Sequence, residues 1–328
     1  MNPLLPLDPD VLRHALMAPV GEFARMELVA ETGSTNADVV AAAAAAEQWP
    51  ELSVLIAEHQ LAGRGRLDRE WNTPPGSSII ASVLLRPGDA VAGLTALGQE
   101  AYSWISLLAA LALADALDGS AGLRAELKWP NDVLVGGRKV AGILAQLVPG
   151  TPAGPSGGGS AGGAGGPASA ATPGTPATPG TPANPVGPAV VVGIGVNVGQ
   201  SQQDLPVPTA TSLALEGAKT LDRNVLIPAY LNRFARLYRS FRAVGGDARL
   251  PLDDGPSLRQ LASARMATLG SQVRAELPGG ITLQGLAVGL DPQGSLLVTD
   301  SAGTTRAVSA GDVVHLRRHE AEDSGGYA

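Results

Sequence analysis

The chain has 328 residues, enough for two domains, and its net charge of −7 opposes the basic surface that nucleic-acid binding requires, so no DNA partner is expected. The absence of cysteine excludes disulfides and zinc–thiolate sites. The four histidines lack the spacing of metal ligands, so the sequence predicts no metal held by His or Cys, although Mg²⁺ could enter with a nucleotide.

No signal peptide is indicated, because the first ten residues carry no lysine or arginine. Residues 1–24 are interpreted as an N-terminal extension with one amphipathic helix near 10–17. The longest apolar stretch, 101–117, contains Asp115 and is interpreted as a buried core helix ended by Gly119. We therefore expect a cytoplasmic protein without a membrane partner.

Residues 27–31 form a predicted strand that leads through a polar turn into an alanine-rich helix reaching position 46. Ser34, Thr35 and Asn36 stand at the start of this helix, and all three are good N-cap residues. Capping alone would account for them, and hydrogen bonding to a ligand is the alternative.

Glycine and arginine alternate after the next predicted strand, 52–57. Glycine permits close backbone approach to a ligand, and arginine offers a planar fork of donors to carboxylate or phosphate oxygens. One loop could thus hold an anion and stack a flat ring, but a solvated basic loop would show the same spacing. The residues concerned are Gln60, Gly63, Arg64, Gly65, Arg66, Arg69 and Trp71.

Strand-like sequence continues on both sides of a low-complexity segment, 149–188. That segment consists mainly of small residues and proline, which cannot bury enough apolar surface to offset the entropy of ordering, so we interpret it as a disordered insertion. Gly136-Gly137 predicts a hairpin turn, and Lys128 stands late in its strand. Strands are predicted at 77–86, 123–128, 133–135, 138–146 and 190–198.

The C-terminal third is predicted to contain a long helix followed by a small all-β domain. Residues 224–244 place apolar side chains on one helical face and arginines on a solvated face, with Gly245-Gly246 ending the helix. A polar connector, 247–266, leads into five short strands separated by turns, a pattern typical of a small barrel. These strands are predicted at 273–277, 281–288, 296–299, 304–308 and 313–317.

Polar side chains collect at strand ends, where ligand sites of α/β proteins assemble. They supply lysine, arginine, amide and hydroxyl groups but no nucleophile–base pair, which suits binding of an anionic intermediate better than covalent catalysis. These clusters are residues 34–36, 60–71 and 128–132, and Asn197.

Five segments, in order, resemble the motifs of the biotin protein ligases, the biotin–[acetyl-CoA-carboxylase] ligases. The resemblance covers about residues 25–148 and 189–318. The segments are Glu31-Thr32-Gly33-Ser34-Thr35-Asn36, Gln60-x-x-Gly63-Arg64-Gly65-Arg66, Lys128-Trp129-Pro130-Asn131-Asp132, Arg138-Lys139-Val140-Ala141-Gly142-Ile143-Leu144 and Gly193-Ile194-Gly195-Val196-Asn197.

This resemblance implies an α+β fold: a mixed β-sheet catalytic domain packed with helices, like class II synthetases, over 25–266, an SH3-like β-barrel at 267–318 and a tail at 319–328. It implies that biotin and MgATP form biotinoyl-5′-AMP, from which a lysine of a biotin carboxyl carrier domain of acyl-CoA carboxylase takes the biotinoyl group. Only about 25 residues precede the core, so the chain resembles monofunctional members without a DNA-binding domain.

The resemblance also implies roles for individual residues. Lys128 and Arg66 would be catalytic, and Asp132 could help to place Mg²⁺. Asp68 departs from the family pattern, in which glycine is common, and an acidic side chain there would oppose a nearby phosphate. Implied biotin contacts are Ser34, Thr35, Asn36, Gln60, Gly63, Arg64, Gly65, Arg66 and Lys128. Implied nucleotide contacts are Arg64, Arg66, Arg69, Trp71, Asn131, Lys139 and Asn197.

Two alternatives remain open on the sequence. A lipoate-type acyl protein ligase would share the fold and an adenylate intermediate. A non-catalytic biotin-binding module would share the binding groups, although retention of Lys128 together with the arginine loop argues for an enzyme.

Overall fold

The computed structural model describes residues 4–90, 94–150, 187–310 and 315–318. Over these ranges the chain forms a seven-stranded mixed sheet packed with helices and a second, five-stranded antiparallel sheet. The predicted α+β class with a small C-terminal β-domain is thereby confirmed. Most of the predicted insertion, 151–186, and the predicted tail, 319–328, lie outside the described residues.

In the larger sheet, the first two strands pair in parallel and the remaining neighbours pair antiparallel. Gly136 and Gly137, with φ of 56° and 76°, form the predicted hairpin turn, because a two-residue turn of this hand needs two left-handed residues. In sheet order the strands are β1 (Arg25–Thr32), β2 (Ser53–Gln60), β3 (Ser78–Leu85), β7 (Ala189–Asn197), β6 (Arg138–Val148), β5 (Asp132–Val135) and β4 (Ala125–Lys128).

The helices of the described residues follow the predicted positions with two corrections of length. The second helix stops four residues before position 46, because the chain turns so that Trp49 packs against the sheet. The third continues past Gly119 through a wide turn and ends at Gly122, whose φ of 67° allows the closing backbone bonds. The helices are α1 (Pro9–Leu16), α2 (Thr35–Ala42), α3 (Trp104–Ala116), α4 (Arg223–Ala243) and α5 (Leu258–Arg265).

The predicted core helix, α3, is buried on every side. The segment Gln99–Ala121 is long and apolar enough to cross a membrane, but 72% of its 18-residue apolar stretch is buried inside the protein. Its side chains join the largest apolar cluster, which also contains residues of α4 and of the sheet. The interpretation as a core helix is confirmed.

The arginines of α4 form the expected solvated face only in part: Arg236 is exposed, but other arginines are drawn into the protein. Arg242 is fully buried and donates to Glu51 (2.9 Å) and to the Thr95 carbonyl (3.1 Å). Arg233, which is half-buried, pairs with Asp115 at 2.7 Å. Helical periodicity places a residue on a face but does not show that a carboxylate from another element will meet it there.

The C-terminal sheet confirms the five predicted strands, whose described ends agree to within two residues; positions 313 and 314 of the fifth lie outside the described residues. Its strands pair antiparallel, with β9 and β10 joined by a short turn. In sheet order they are β11 (Thr305–Val308), β10 (Leu296–Thr299), β9 (Thr282–Leu290), β8 (Gln272–Glu276) and β12 (His315–Arg318).

Different elements cover the two faces of the seven-stranded sheet. The core helices α3 and α4 pack with one face. On the other face, α2 packs against β2, β3 and β7 through Val39, Ala43 and the nearby Trp49. On this second face Gly193 lies under Asn36 of α2, whereas Gly142 and Gly195 lie under Trp71.

Candidate functional site

Three of the predicted motifs meet in one row of directly paired residues across the sheet. Lys128 pairs with Asp132, Asp132 with Gly142, and Gly142 with Gly195. Directly opposite residues share a face of the sheet, so Lys128 stands on the same side as the two glycines. With strands ~4.8 Å apart, Lys128 and Gly195 are separated by roughly 14 Å, a span suited to an extended molecule rather than to an ion.

The N-terminus of α2 contributes a buried hydrogen-bonded cluster beside this row. Gln60 Oε1 accepts from the Thr35 backbone N–H (2.9 Å) and hydroxyl (3.3 Å). Ser82 Oγ donates to Asn36 Oδ1 (2.6 Å) and lies 2.8 Å from Thr35 Oγ1. Ser34 is the N-cap and accepts from the N–H three residues on. Capping therefore accounts for Ser34 alone. The side chains of Thr35 and Asn36 instead form hydrogen bonds with Gln60 and Ser82 in the interior.

The arginine loop is a short hairpin, which the sequence did not predict. Trp71 N donates to Gly63 O (2.8 Å), and Gly65 N donates to Arg69 O (2.7 Å). The hairpin turns at Leu67, which is exposed and has a φ of 58°. The side chain of Asp68 lies outside the described residues, so the expected conflict with phosphate stays a prediction.

The two glycines of this loop, Gly63 and Gly65, have different roles. A Cβ on Gly63 would stand 2.2 Å from Gln60 Nε2 and 2.3 Å from Trp71 O, so glycine is required there by packing within the protein. Around Gly65 the nearest atom to such a Cβ is 3.6 Å away. Close approach to a ligand, which we expected of both, has room only at Gly65.

The indole of Trp71 covers the glycine pair in the centre of the row. A Cβ on Gly195 would lie 2.5 Å from Trp71 Cε2 and Nε1, and one on Gly142 would lie 3.3 Å from Cζ3. Lys139 Nζ is 5.5 Å from the ring centroid and 2.7 Å from the Asp132 carboxylate. Trp71 Nε1 is buried and has no hydrogen-bond acceptor among the described residues, so it is a donor that a ligand could satisfy.

Arg66 joins this area to the C-terminal domain. Its Nη1 donates to Asn131 Oδ1 (3.4 Å) and its Nη2 to the Ala310 carbonyl (2.5 Å). Burial lowers the pKa of Arg66, the nearby Asp132 opposes that change, and Arg69 adds to it. Asn131 is held in turn by its Nδ2, which donates to a carbonyl of β6 (2.8 Å). The predicted anion-binding arginine thus lies at a junction of three segments.

A cleft of about 780 Å³ opens beside β6, between the arginine hairpin and the C-terminal sheet. Arg64, Gly65, Arg66 and Asn131 line it from the catalytic part, and the turn 293–295 lines it from the C-terminal part. Residues 143–146 of β6 line the cleft and directly follow Gly142, which belongs to the row. A ligand on the sheet would therefore have access to solvent through the cleft.

Asn197 is brought to the same sheet face, but its amide is used inside the protein. Its Nδ2 donates to the Thr211 carbonyl (2.9 Å) and its Oδ1 accepts from Gln200 (3.3 Å). Among the described residues, no group of three or more His, Cys, Asp or Glu could hold a metal ion, which leaves Asp132 as a lone carboxylate in the row.

Sequence reasoning missed the contributions of four residues. Ser82 lies inside an apolar strand, where its hydroxyl is a weak signal of the polar neighbours that α2 places over it. The strand register alone shows that Gly142 and Gly195 are neighbours and together leave room for the Trp71 indole. Ala310 contributes a backbone carbonyl, for which no side-chain pattern exists.

Comparisons with known proteins agree in both parts of the chain. Residues 30–154 match the model of the biotin/lipoate A/B protein ligase family, and residues 268–316 match that of the biotin protein ligase C-terminal domain. These ranges contain Lys128, Asp132 and Gly142 of the row, the arginine hairpin and most of the smaller sheet.

Two relatives and one solved structure extend the likeness over most of the chain. The biotin–[acetyl-CoA-carboxylase] ligase of Mycobacterium tuberculosis H37Rv is 36% identical over 95% of this chain and 97% of its own length. That of Paracoccus denitrificans is 32% identical over 84% of this chain and 95% of its own length. A biotin protein ligase from Aquifex aeolicus, solved in complex with biotin and ATP, has a TM-score of 0.62 at 23% identity, covering 90% of this chain and all of that one, and so shows the same fold.

Proposed function

The chain belongs to the biotin protein ligase family, and we propose that it activates biotin with ATP to biotinoyl-5′-AMP and then transfers biotin to a protein lysine. It is an ATP-dependent, AMP-forming biotin–[acetyl-CoA-carboxylase] ligase. The observation that carries this conclusion is 36% identity with such an enzyme over 95% of the chain. The row from Lys128 to Gly195 supplies a physical basis for it.

Biotin binding is assigned to the end of the row nearest α2. Ser34, Thr35, Asn36 and Gln60 offer hydroxyl and amide groups to the ureido ring, a neutral polar group that would be costly to bury unpaired. Hydrogen bonds within the buried cluster fix Thr35, Asn36 and Gln60 before a ligand arrives, which reduces the ordering cost of binding.

The first chemical step joins two anions. A biotin carboxylate oxygen attacks the α-phosphorus of ATP, the bond to the β-phosphate oxygen breaks, and pyrophosphate leaves. Lys128 would place its ammonium between carboxylate and α-phosphate and stabilise the charge that develops there. Arg66, with Arg64 and the neighbouring Gly65, would hold the phosphate and carboxylate oxygens at the mouth of the cleft.

The nucleotide is assigned to the area around Trp71. Its indole would stack on adenine, and its unpartnered N–H supports a polar ligand at this position. Arg69, Asn131 and Lys139 would contact the nucleotide from the flanking segments. Asn197 would do so only after exchanging its bond to the Thr211 carbonyl.

Magnesium would enter with the nucleotide as part of the substrate. The ion neutralises phosphate charge and keeps several water and phosphate ligands, so one protein carboxylate is a sufficient contribution. Asp132 would supply that carboxylate after its ion pair with Lys139 breaks and Lys139 turns to the nucleotide.

In the second step, the carrier supplies the nucleophile. The neutral amine of a lysine in the biotin carboxyl carrier domain attacks the acyl carbonyl, an amide forms, and the bond to AMP breaks. The protein therefore needs no nucleophile of its own. Neither DNA nor a membrane takes part in this scheme, and its dependence on ATP and acyl-CoA carboxylase suits a cytoplasmic protein.

Release of pyrophosphate from ATP, with biotin or lipoate as the only acid, separates the proposal from the lipoate-type alternative. We expect release with biotin only, followed by labelling of a biotin carboxyl carrier domain at one lysine. Release with lipoate only would replace the proposal with the alternative, and release with neither would support the non-catalytic biotin-binding module.

Lys128→Ala tests the chemical role directly. Removing a charge that acts mainly in the transition state should lower the rate of adenylate formation by about 10²- to 10³-fold, with a smaller change in biotin affinity. The measurement is single-turnover formation of biotinoyl-AMP. A wild-type rate would remove Lys128 from the reaction.

A further inference from the structure

We infer that Trp129 is a positioning residue, through which the C-terminal sheet holds the backbone that carries Lys128. The inference rests on the proposed function, since it concerns a group that acts in adenylate formation. It assigns to Trp129 a part in the reaction without contact with the reacting atoms.

The backbone on both sides of Lys128 is bonded to the segment that enters the C-terminal sheet. Ala267 N donates to Leu127 O (2.8 Å). Trp129 N donates to Thr268 Oγ1 (3.0 Å), and Thr268 is 4% exposed. Lys128 is thus bracketed by two hydrogen bonds on the outer edge of β4, and both partners belong to the junction with the C-terminal domain.

The indole of Trp129 adds a third attachment to the same domain. It is 1% exposed, and its Nε1 donates to Gly294 O (3.1 Å) in the turn between β9 and β10. That turn is itself constrained, because Asp291 Oδ1 accepts from the N–H groups of Gln293 and Ser295, at 2.8 Å each. Trp129 is therefore held by a rigid part of the C-terminal sheet.

Lys128 depends on this attachment because contacts of its own side chain do little to fix its position. It stands on a four-residue edge strand and is half-buried, and its ammonium forms no hydrogen bond or ion pair within the described part of the chain. The position of a flexible lysine is then set by its backbone. A displacement of about 1 Å at a reacting group can cost on the order of 10²-fold in rate.

Trp104 provides a matched control. It is fully buried, and its Nε1 donates to Pro292 O (2.9 Å) in the same turn. It begins α3 and, unlike Trp129, is not next to Lys128 in the chain. Trp104→Phe and Trp129→Phe therefore each remove one indole donor from one turn, but only the second change is adjacent to Lys128.

The experiment measures adenylate formation and thermal stability in full-length Trp129→Phe, Trp104→Phe and Thr268→Val proteins. We expect similar losses of thermal stability in the two tryptophan variants. Trp129→Phe should lower kcat for pyrophosphate release by at least tenfold with a small change in KM for biotin, while Trp104→Phe stays within about twofold of wild type. In a Lys128→Ala background, Trp129→Phe should add less than twofold.

Thr268→Val keeps the inference testable if Trp129→Phe does not fold. It removes the acceptor of the Trp129 N–H and should lower kcat severalfold, and Thr268→Ser, which restores a hydroxyl, should recover it. Equal kcat losses in the two tryptophan variants, or a full Trp129→Phe effect without Lys128, would mean general structural damage and overturn the inference. A wild-type enzyme that releases no pyrophosphate with biotin would instead overturn the proposed function.

Discussion

Gly195→Ala is expected to displace Trp71 from the sheet. The added Cβ would stand 2.5 Å from both Cε2 and Nε1 of the indole and 2.9 Å from Cζ2. Ordinary van der Waals contact begins at 3.4 Å, so the ring must retreat by 3.4 − 2.5 = 0.9 Å. The neighbour that has to move is a wide, rigid ring over a glycine pair, and a small side-chain rotation cannot relieve the clash.

The displacement has two measurable consequences. Overpacking of this kind costs ~1–3 kcal/mol of stability, against which Gly→Ala recovers ~0.4–1 kcal/mol by restricting the unfolded chain. If Trp71 stacks on adenine, a shift close to 1 Å should also lower kcat/KM for ATP by about 10- to 100-fold. The value of kcat/KM for biotin at saturating ATP should change less.

The control is Gly289→Ala, a glycine of β9 at which the nearest atom to a new Cβ, Leu297 Cδ1, is 3.9 Å away. This variant should match wild type in both properties. The assay is initial-rate pyrophosphate release across ATP concentrations, with chemical denaturation for stability. Wild-type ATP kinetics in a destabilised Gly195→Ala protein would refute the assignment of Trp71 to the nucleotide, and wild-type stability would refute the packing argument.

Three further outcomes are expected. Arg66→Gly should let biotinoyl-AMP escape about tenfold or more faster, because the arginine hairpin would lose its bonds across the cleft; unchanged retention of labelled adenylate would contradict this. Asp132→Asn should raise the Mg²⁺ concentration that gives half-maximal pyrophosphate release severalfold, and an unchanged Mg²⁺ dependence would remove Asp132 from the metal site. Burial raises the pKa of Glu51 above 4.5, so its stabilising contribution is present below that pH and is lost as the pH rises. In denaturation from pH 4.5 to 8, Glu51→Gln should therefore gain stability relative to wild type with rising pH, and a pH-independent difference would contradict the sign.

Local patterns in the sequence were sufficient for most of the secondary structure. The alternation of apolar residues predicted the C-terminal strands to within two residues, and Gly136-Gly137 predicted a hairpin whose two left-handed residues the structure contains. These features depend on neighbours in the chain, so the sequence carries them directly. The third helix ends at Gly122 instead of Gly119. The sequence offers both glycines as helix ends, and the backbone bonds to the Leu117 carbonyl that close the last turn are made at Gly122 and the residue after it.

Contacts between distant segments were beyond the same reasoning. The arginines of α4 were expected in solvent, but Glu51, 191 positions before Arg242 in the chain, meets that side chain in the interior. The glycines of the arginine loop were both expected to face a ligand, but one is packed against Gln60 and the Trp71 carbonyl. Periodicity predicts which face of a helix a residue lies on. The groups that contact that face come from other parts of the fold, so a local pattern does not predict them.

The sequence by itself determined which groups this protein has for its reaction: the lysine, the arginines, the amides and the glycines, in an order that resembles one family of ligases. Only the tertiary structure decided which of them act together. The register of β4, β5, β6 and β7 brings Lys128 into one row with Asp132, Gly142 and Gly195, and the C-terminal turn holds Trp129 beside it. A one-residue shift in pairing would reverse every side chain of a strand, and that choice depends on the buried surfaces of the whole sheet.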